Sequence, residues 1–348
     1  MRKRSKLVSM LLVALLLSSL LLAGACGPAE QEGVTEIEIL AVESGLAGYF
    51  LSFGLGDIIN QYSTDLHATT LETVSATNVR TLASYDPERQ KRTIIWHTPT
   101  GNYLAKQGIP PTAPDTGPYM DCKLLAHLLD TGDGLITLDP NIKSPLDLVG
   151  KRVGVGVEGN SATYHIQWPI EFGYEIPLDQ IEWVYSSAGG AKSALLDGQI
   201  DAAFAPRLVG GPGEEKDWIP APTTEEILST KKAYFVNYDP AVYPKVRALG
   251  YPVYPLKGKV KQVGQSDAQG WVATAQSLCW YVHKDMPDEL VTELLTLIWD
   301  HVDLFVDYHA TGRFMNQEGL AQALSARDEY HPAAIKFFED KGIKVGQD

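Results

Sequence analysis

Gly154, Gly156 and Gly159 spell a complete G-x-G-x-x-G within Lys151 to His165, KRVGVGVEGNSATYH. In a strand-to-helix turn such glycines let backbone amides approach a pyrophosphate, so dinucleotide chemistry is the first candidate. Two features weigh against it. A dinucleotide fold places its apolar strand before the first glycine and an acid at the end of the following strand. Here Gly154 and Gly156 lie within the strand RVGVGV, and the next strand, IEWVYSS, ends in serines. What survives is the loop from Gly159 to Thr163, with Asn160 and Ser161, as a source of N–H donors for some anion. Comparable junctions rich in Ser, Thr, Asn and Gly recur at Ser44 to Tyr49, Ser75 to Asn78 and Ser187 to Gly190. Ser75 and Ser187, taken singly, fit plain helix N-caps equally well.

An anion bound by a chain of formal charge −14 needs a local cation, and arginine offers a planar fork for two hydrogen bonds. Arg207 directly follows the apolar DAAFAP and is expected at the edge of a cleft, in even balance with a surface ion pair. Arg80 stands one turn into an earlier helix. His97 closes the strand RTIIWH as a candidate donor, with Trp96 and Tyr49 as apolar walls, although a core position accounts for a lone His or Trp equally well. Asp300, His301, Asp303, Asp307 and His309 spread over more than one helical face and alternate with Val302, Leu304, Phe305 and Val306, so an amphipathic helix is favoured over a metal site. No G-x-S-x-G elbow, Walker loop or H-E-x-x-H occurs. No metal, no cofactor and no enzymatic activity are therefore expected.

The elements that position these residues alternate short apolar strands with helical segments, the signature of an α/β chain with largely parallel sheets. EIEILAV leads into LSFGLGDIINQYS, HATTLETV into SATNVRTLASY, and RTIIWH into a proline-rich passage followed by the helix-like YMDCKLLAHLLD. GDGLITLDP reads as a strand leaving a first lobe. A second set runs through RVGVGV, IEWVYSS, AGGAKSALLDGQ and DAAFAPR, and GGPGEEKDWIPAPTTEE reads as a surface excursion. WVATAQSLCWYVH returns as strand, and the remainder is mainly helical. The expectation is two α/β lobes with a ligand cleft between them: 36–135 as the first part of lobe 1, 136–260 as lobe 2, and 261–348 as the return to lobe 1 with C-terminal helices. The body is expected to be monomeric.

The N-terminus reads as an export signal. MRKRSK carries the early positive charge, and the uncharged LVSMLLVALLLSSLLLAGA ends in small residues. Ala23-Gly24-Ala25-Cys26 resembles a bacterial lipoprotein processing site, with Ala23 where leucine is usual. Residues 1–25 are therefore expected to be a lipoprotein signal peptide, with Cys26 the lipid-bearing first residue and 26–35 a flexible tether to the membrane surface. An uncleaved anchor and ordinary signal cleavage beside a chance Cys are the alternatives. Loss of Arg2, Lys3, Arg4 and Lys6 makes the body more acidic still, which disfavours nucleic acid as a partner. An exported Cys122–Cys279 pair could form a disulfide, but nothing in the sequence brings the two together, and two buried thiols are the favoured reading.

Several blocks, in order, resemble the TAXI-type solute-binding subunits of tripartite ATP-independent periplasmic (TRAP) transporters. ESGLAGYFLSFGLGDIIN is similar to the family's glycine-then-tyrosine loop, with Tyr49 at the second tyrosine. TVSATNVRTL keeps Thr73, Ser75 and Asn78 of its T-G-S-V-E-N-L segment. SPLDLVGKRVGVGVEGNSA and ALLDGQIDAAF resemble two further blocks, and MPDELVTELL with HPAAIKFFEDKGI completes the likeness. Val74 replaces a glycine, Asn160 and Ser161 stand where many members have Ser-Gly, and WHT replaces a glutamine-containing turn. The resemblance implies a type II periplasmic-binding-protein fold of the Venus-flytrap kind. It also implies a small carboxylate ligand, amino acid or dicarboxylate such as glutamate or 2-oxoglutarate, and TRAP membrane subunits as partners. An ABC-importer receptor or a ligand-sensing lipoprotein of the same fold remains the alternative.

Overall fold

The computed structural model describes residues 33–347 apart from 45, 211–213 and 262–268. The segment expected as a signal peptide, Cys26 and most of the expected tether lie outside the described residues. Among those described, no helix is long and apolar enough to cross a membrane.

The first strands are β1 (Thr35–Leu40), β2 (Leu66–Leu71) and β3 (Thr93–His97), joined by helices α1 (Ala47–Tyr62), α2 (Asn78–Ser84) and α3 (Pro87–Gln90). They pair in parallel with β1 in the middle. In β1, Ile37 and Ile39 are buried while Glu36 and Glu38 alternate with them, the period of a half-covered strand. β3 is buried along its whole length. After α4 (Pro99–Lys106) comes β4 (Cys122–Asp133), where a helix was expected. Leu124, Leu125, Leu128 and Leu129 have helical spacing, but this strand is covered on both faces, and a doubly buried strand loses its alternation.

β4 continues through Gly134 into β5 (Leu135–Thr137), which belongs to a different sheet. That sheet has five strands in the order β11-β5-β8-β6-β7, with β6 (Arg152–Val155), β7 (Glu182–Tyr185), β8 (Ala202–Phe204) and β11 (Tyr234–Val236). Helices α5 (Ser161–Trp168) and α6 (Ala188–Leu196) connect its parallel strands. The larger sheet has eight strands in the order β12-β10-β9-β4-β13-β3-β1-β2. It includes β9 (Arg207–Gly210), β10 (Glu215–Pro220), β12 (Tyr254–Lys261) and the long β13 (Gln269–His283). β9, β10 and β12 fall within the stretch expected as lobe 2, yet they extend the larger sheet. The passage read as a surface excursion is β10 followed by α7 (Pro222–Thr230), and Trp218 at its centre is 1% exposed. Its charged flanks hide one buried anchor, which is why composition alone misread it.

After α8 (Tyr243–Ala248) and β13, the chain ends in α9 (Asp288–Asp300), α10 (Phe305–Tyr308) and α11 (Pro332–Asp340). One core lies under β1 to β3, α1, α9 and α11, and a second lies around the small sheet. A third joins Ile136, Ala203 and Phe235 of the small sheet to Trp218, Leu256 and Trp271 of the large one. β4 leads directly into β5 of the small sheet, and β13 feeds the first core through Leu278 to Val282 and the third through Trp271, Ala273 and Ala275. The architecture is a mixed α/β fold of two lobes, one built on the eight-stranded sheet and one on the five-stranded sheet. Cys122 and Cys279 are buried free thiols, set opposite His283 and His127 in the β4–β13 register rather than opposite each other.

Candidate functional site

The carboxyl ends of β1, β3, β4, β6 and β8 open towards one cavity of about 150 Å³, the position at which open α/β sheets bind ligands. Its wall combines the first turn of α1 (Leu46 to Gly48), Trp96 to Thr98 at the end of β3, Asp133 at the end of β4, Gly159 to Ala162 at the start of α5, and Ala221 and Pro222 at the start of α7. Gln276 and Leu278 of β13 form the floor between the lobes. Four helices thus begin at the cavity, and the exposed amides of a helix start carry a partial positive charge. Those starts are not equivalent. Thr98 already accepts from the Gly101 amide at 3.0 Å and Asn160 from the Ala162 amide at 2.9 Å. Leu46 supplies no side-chain cap, so α1 keeps its first donors for another acceptor, whereas α7 opens on Pro222, which has no N–H, and the Ala221 amide already donates to the Pro206 carbonyl at 3.1 Å.

Two side chains reinforce this. Trp96 is 8% exposed and His97 3%, and the buried Trp96 Nε1 and His97 Nε2 have no hydrogen-bond partner. Leaving such a group unsatisfied costs about 1–3 kcal/mol. Each is held by a glycine: a Cβ on Gly48 would collide with Trp96 Nε1, and one on Gly101 with the His97 ring. Burial pushes the His97 imidazole down to about 4, so it is neutral at physiological pH and can donate through only one nitrogen.

The structure brings Ser75, His97, Asn160 and Ser161 to the cavity. The other expected residues lie elsewhere. Arg207 is fully buried in β9 while its neighbours Pro206 and Leu208 face the cavity, because successive strand residues point to opposite sides. Its guanidinium sits 4.6 Å from the ring centres of both Phe235 and Trp271, and its Nε donates to the Gly132 carbonyl. Burial lowers its pKa to about 10, still well above neutrality. Arg80 pairs with Asp115 on the surface. Asn78 is structural: its amide donates to the carbonyls of Ala41 at 2.7 Å and Trp96 at 2.9 Å, tying the ends of β1 and β3 together. Tyr49 packs on Phe53 with centroids 4.5 Å apart, and Thr163 donates back to Val157 O across its own loop. Ser44 gives its amide to Glu72, and the Ser75 amide reaches Glu43. No Lys or Arg is among the lining residues, and no metal-binding cluster exists among the described residues.

Asp133 and Gln276 went unnoticed in the sequence. Gln276 donates to Ser161 Oγ at 2.6 Å, tying β13 to the start of α5. Asp133 faces His165 Nδ1 at 2.9 Å, and His165 Nε2 lies 2.5 Å from Thr100 Oγ1. The order Thr–His–Asp is that of a hydrolytic relay, but Thr100 is 2% exposed and does not line the cavity. The chain of bonds instead joins α4, α5 and β4.

A model of the NMT1-like family matches residues 133–342, more than half of the chain. The chain belongs to the NMT1-like family. In this NMT1-like protein the matched stretch opens at Asp133 itself, and it contains α5, α7 and Gln276 of the cavity wall. Among solved structures it is similar to malate-bound MatC of Rhodopseudomonas palustris, at 14% identity and TM-score 0.48, over 80% of this chain and 86% of that one. It is also similar to the aliphatic sulphonate binding protein SsuA of Escherichia coli, at 11% identity and TM-score 0.43, over 81% and 80% of the two chains. A TctC solute binding protein from Polaromonas matches at 13% identity and TM-score 0.44, over 80% and 86%.

Proposed function

We propose that this protein is the extracytoplasmic binding subunit of a solute importer and that it carries a small organic anion in the cavity between its lobes. The observation that carries the reading is the buried, unpartnered indole N–H of Trp96, with the unpartnered His97 Nε2 beside it, at a cavity where α1 begins uncapped. Such donors hold a carboxylate through hydrogen bonds and dipoles without a cationic side chain. Capture by lobe closure would present a new surface to a membrane partner. The block resemblance supports TRAP membrane subunits of the TAXI type as that partner, with lipid attachment at Cys26 holding the protein at the membrane face. An ABC-importer receptor shares the fold and is the second reading.

Titration calorimetry against amino acids, oxo acids, dicarboxylates and alkanesulfonates tests this. At least one class is expected to bind, and Trp96→Phe should weaken that binding about three- to tenfold, the loss of one neutral hydrogen bond. Tight NAD(H) binding with no response to any acid would overturn the reading. Genes for paired membrane subunits beside this one favour the TRAP assignment, and an adjacent ATPase gene favours the ABC one.

A further inference from the structure

Asp133 is a carboxylate in a cavity whose other features suit an anion, and that conflict identifies what the ligand must carry. It lines the cavity at 2% exposure. Its Oδ1 accepts from Thr131 Oγ1 at 2.9 Å, and its Oδ2 lies 2.9 Å from His165 Nδ1. The Asp133 carboxylate accepts from Nδ1–H of His165, and the ring's Nε2 lies against the Thr100 hydroxyl at 2.5 Å. This fixes the imidazole and, through it, the orientation of the carboxylate. A carboxylate offers about four acceptor positions, and these two bonds use two of them. Arg207 attracts Asp133 electrostatically but forms no ion pair with it; its Nη1 and Nη2 have no hydrogen-bond partner. The carboxylate is therefore oriented by two bonds, with acceptor capacity left at the cavity wall.

We propose that Asp133 is the specificity determinant of this cavity and selects acids that place a hydrogen-bond donor, an amino or hydroxyl group, against it. The inference rests on the solute-binding reading above. Uncapped α1 with Trp96 and His97 receives the acidic end of the ligand, and Asp133 receives the donor. An oxo acid of the same skeleton would set a carbonyl oxygen against a buried carboxylate, with two acceptors facing and no proton between them. Thr131 and His165 are positioning residues that act through Asp133.

The test uses sets of acids that differ only at the second carbon: valine, 2-hydroxy-3-methylbutanoate and 3-methyl-2-oxobutanoate, and likewise aspartate, malate and oxaloacetate. In calorimetry on the wild-type protein, the amino or hydroxy member of at least one set is expected to bind at least about tenfold more tightly than the oxo member. Asp133→Asn, confirmed folded by its melting transition, should reduce that ratio to within about threefold. An amino preference points to an ammonium group and a hydroxy preference to a neutral donor; either supports the proposal. Equal or tighter binding of the oxo member to the wild type overturns it while leaving the solute-binding reading intact, and needs no variant. A preference that persists in folded Asp133→Asn also overturns it, because another group would then be reading the donor. Failure of every member of both sets overturns it too; binding of an alkanesulfonate alongside that failure would preserve the importer reading alone.

Discussion

At the residue scale, Arg207 and His97 show how one step along a strand decides a role. Arg207 follows a buried strand as a cleft arginine would, but the strand alternation turns it inward, where Phe235 and Trp271 enclose it. Its contribution is packing and a buried charge near Asp133. Arg207→Ala is therefore expected to lower stability by about 3 kcal/mol in urea unfolding, the cost of emptying a filled buried site, and to change ligand affinity less than about threefold. A tenfold loss of affinity with unaltered stability would return Arg207 to the binding site. His97 gives a pH signature. Burial holds its folded pKa at about 4 against an ordinary 6.5, so between those values the unfolded chain binds a proton that the folded chain refuses. The stabilisation is complete above about pH 6.5, falls as the pH drops, and levels off below about pH 4, with a total near 3 kcal/mol. His97→Gln should flatten the stability profile across that window. An unchanged slope would assign the titration to another group.

At the element scale, the site depends on the uncapped first turn of α1 and on glycines that let aromatic rings reach the cavity wall. Gly48, in the first turn of α1, is the clearest case, since a Cβ there meets the indole nitrogen of Trp96. The first turn gains little from alanine's propensity, and a ring in a packed wall yields at a cost of about 1–3 kcal/mol. Gly48→Ala is expected to lower both the melting temperature and ligand affinity. A more stable variant with full affinity would show that the ring has room to swing aside. Alternation in EIEILAV marked β1 and the serine-proline start marked the turn at Pro145, whose Ser144 and Asp147 form a capping box. The strand β4 was not legible, because burial on both faces gives it the apolar pattern of a helix. Asn160 and Ser161 were legible because a junction rich in small polar residues is local information. Asp133 and Gln276 sit inside strands, where nothing local separates a cavity-facing residue from any other.

On the scale of the whole molecule, β4 and β13 serve both lobes, and the third core binds the far edge of the large sheet to the small one. Unfolding is therefore expected to be one cooperative transition. A ligand held at a hundredfold its Kd should shift all of it by about 2.7 kcal/mol, as followed in parallel by tryptophan fluorescence and circular dichroism. Two transitions, only one of them moved by ligand, would mean that the lobes are separate units. The sequence by itself determined the α/β class and the strand-to-helix junctions that surround the cavity, because strand period, helix caps and turn glycines are set by neighbours within a few residues. Only the tertiary structure decided that Arg207 turns inward, that residues 207–220 and 254–261 extend the larger sheet, and that Asp133 meets Trp96 and His97 across one cavity. Those outcomes depend on which distant strands pair and which face each presents, and a shift of one residue in register would have reversed them.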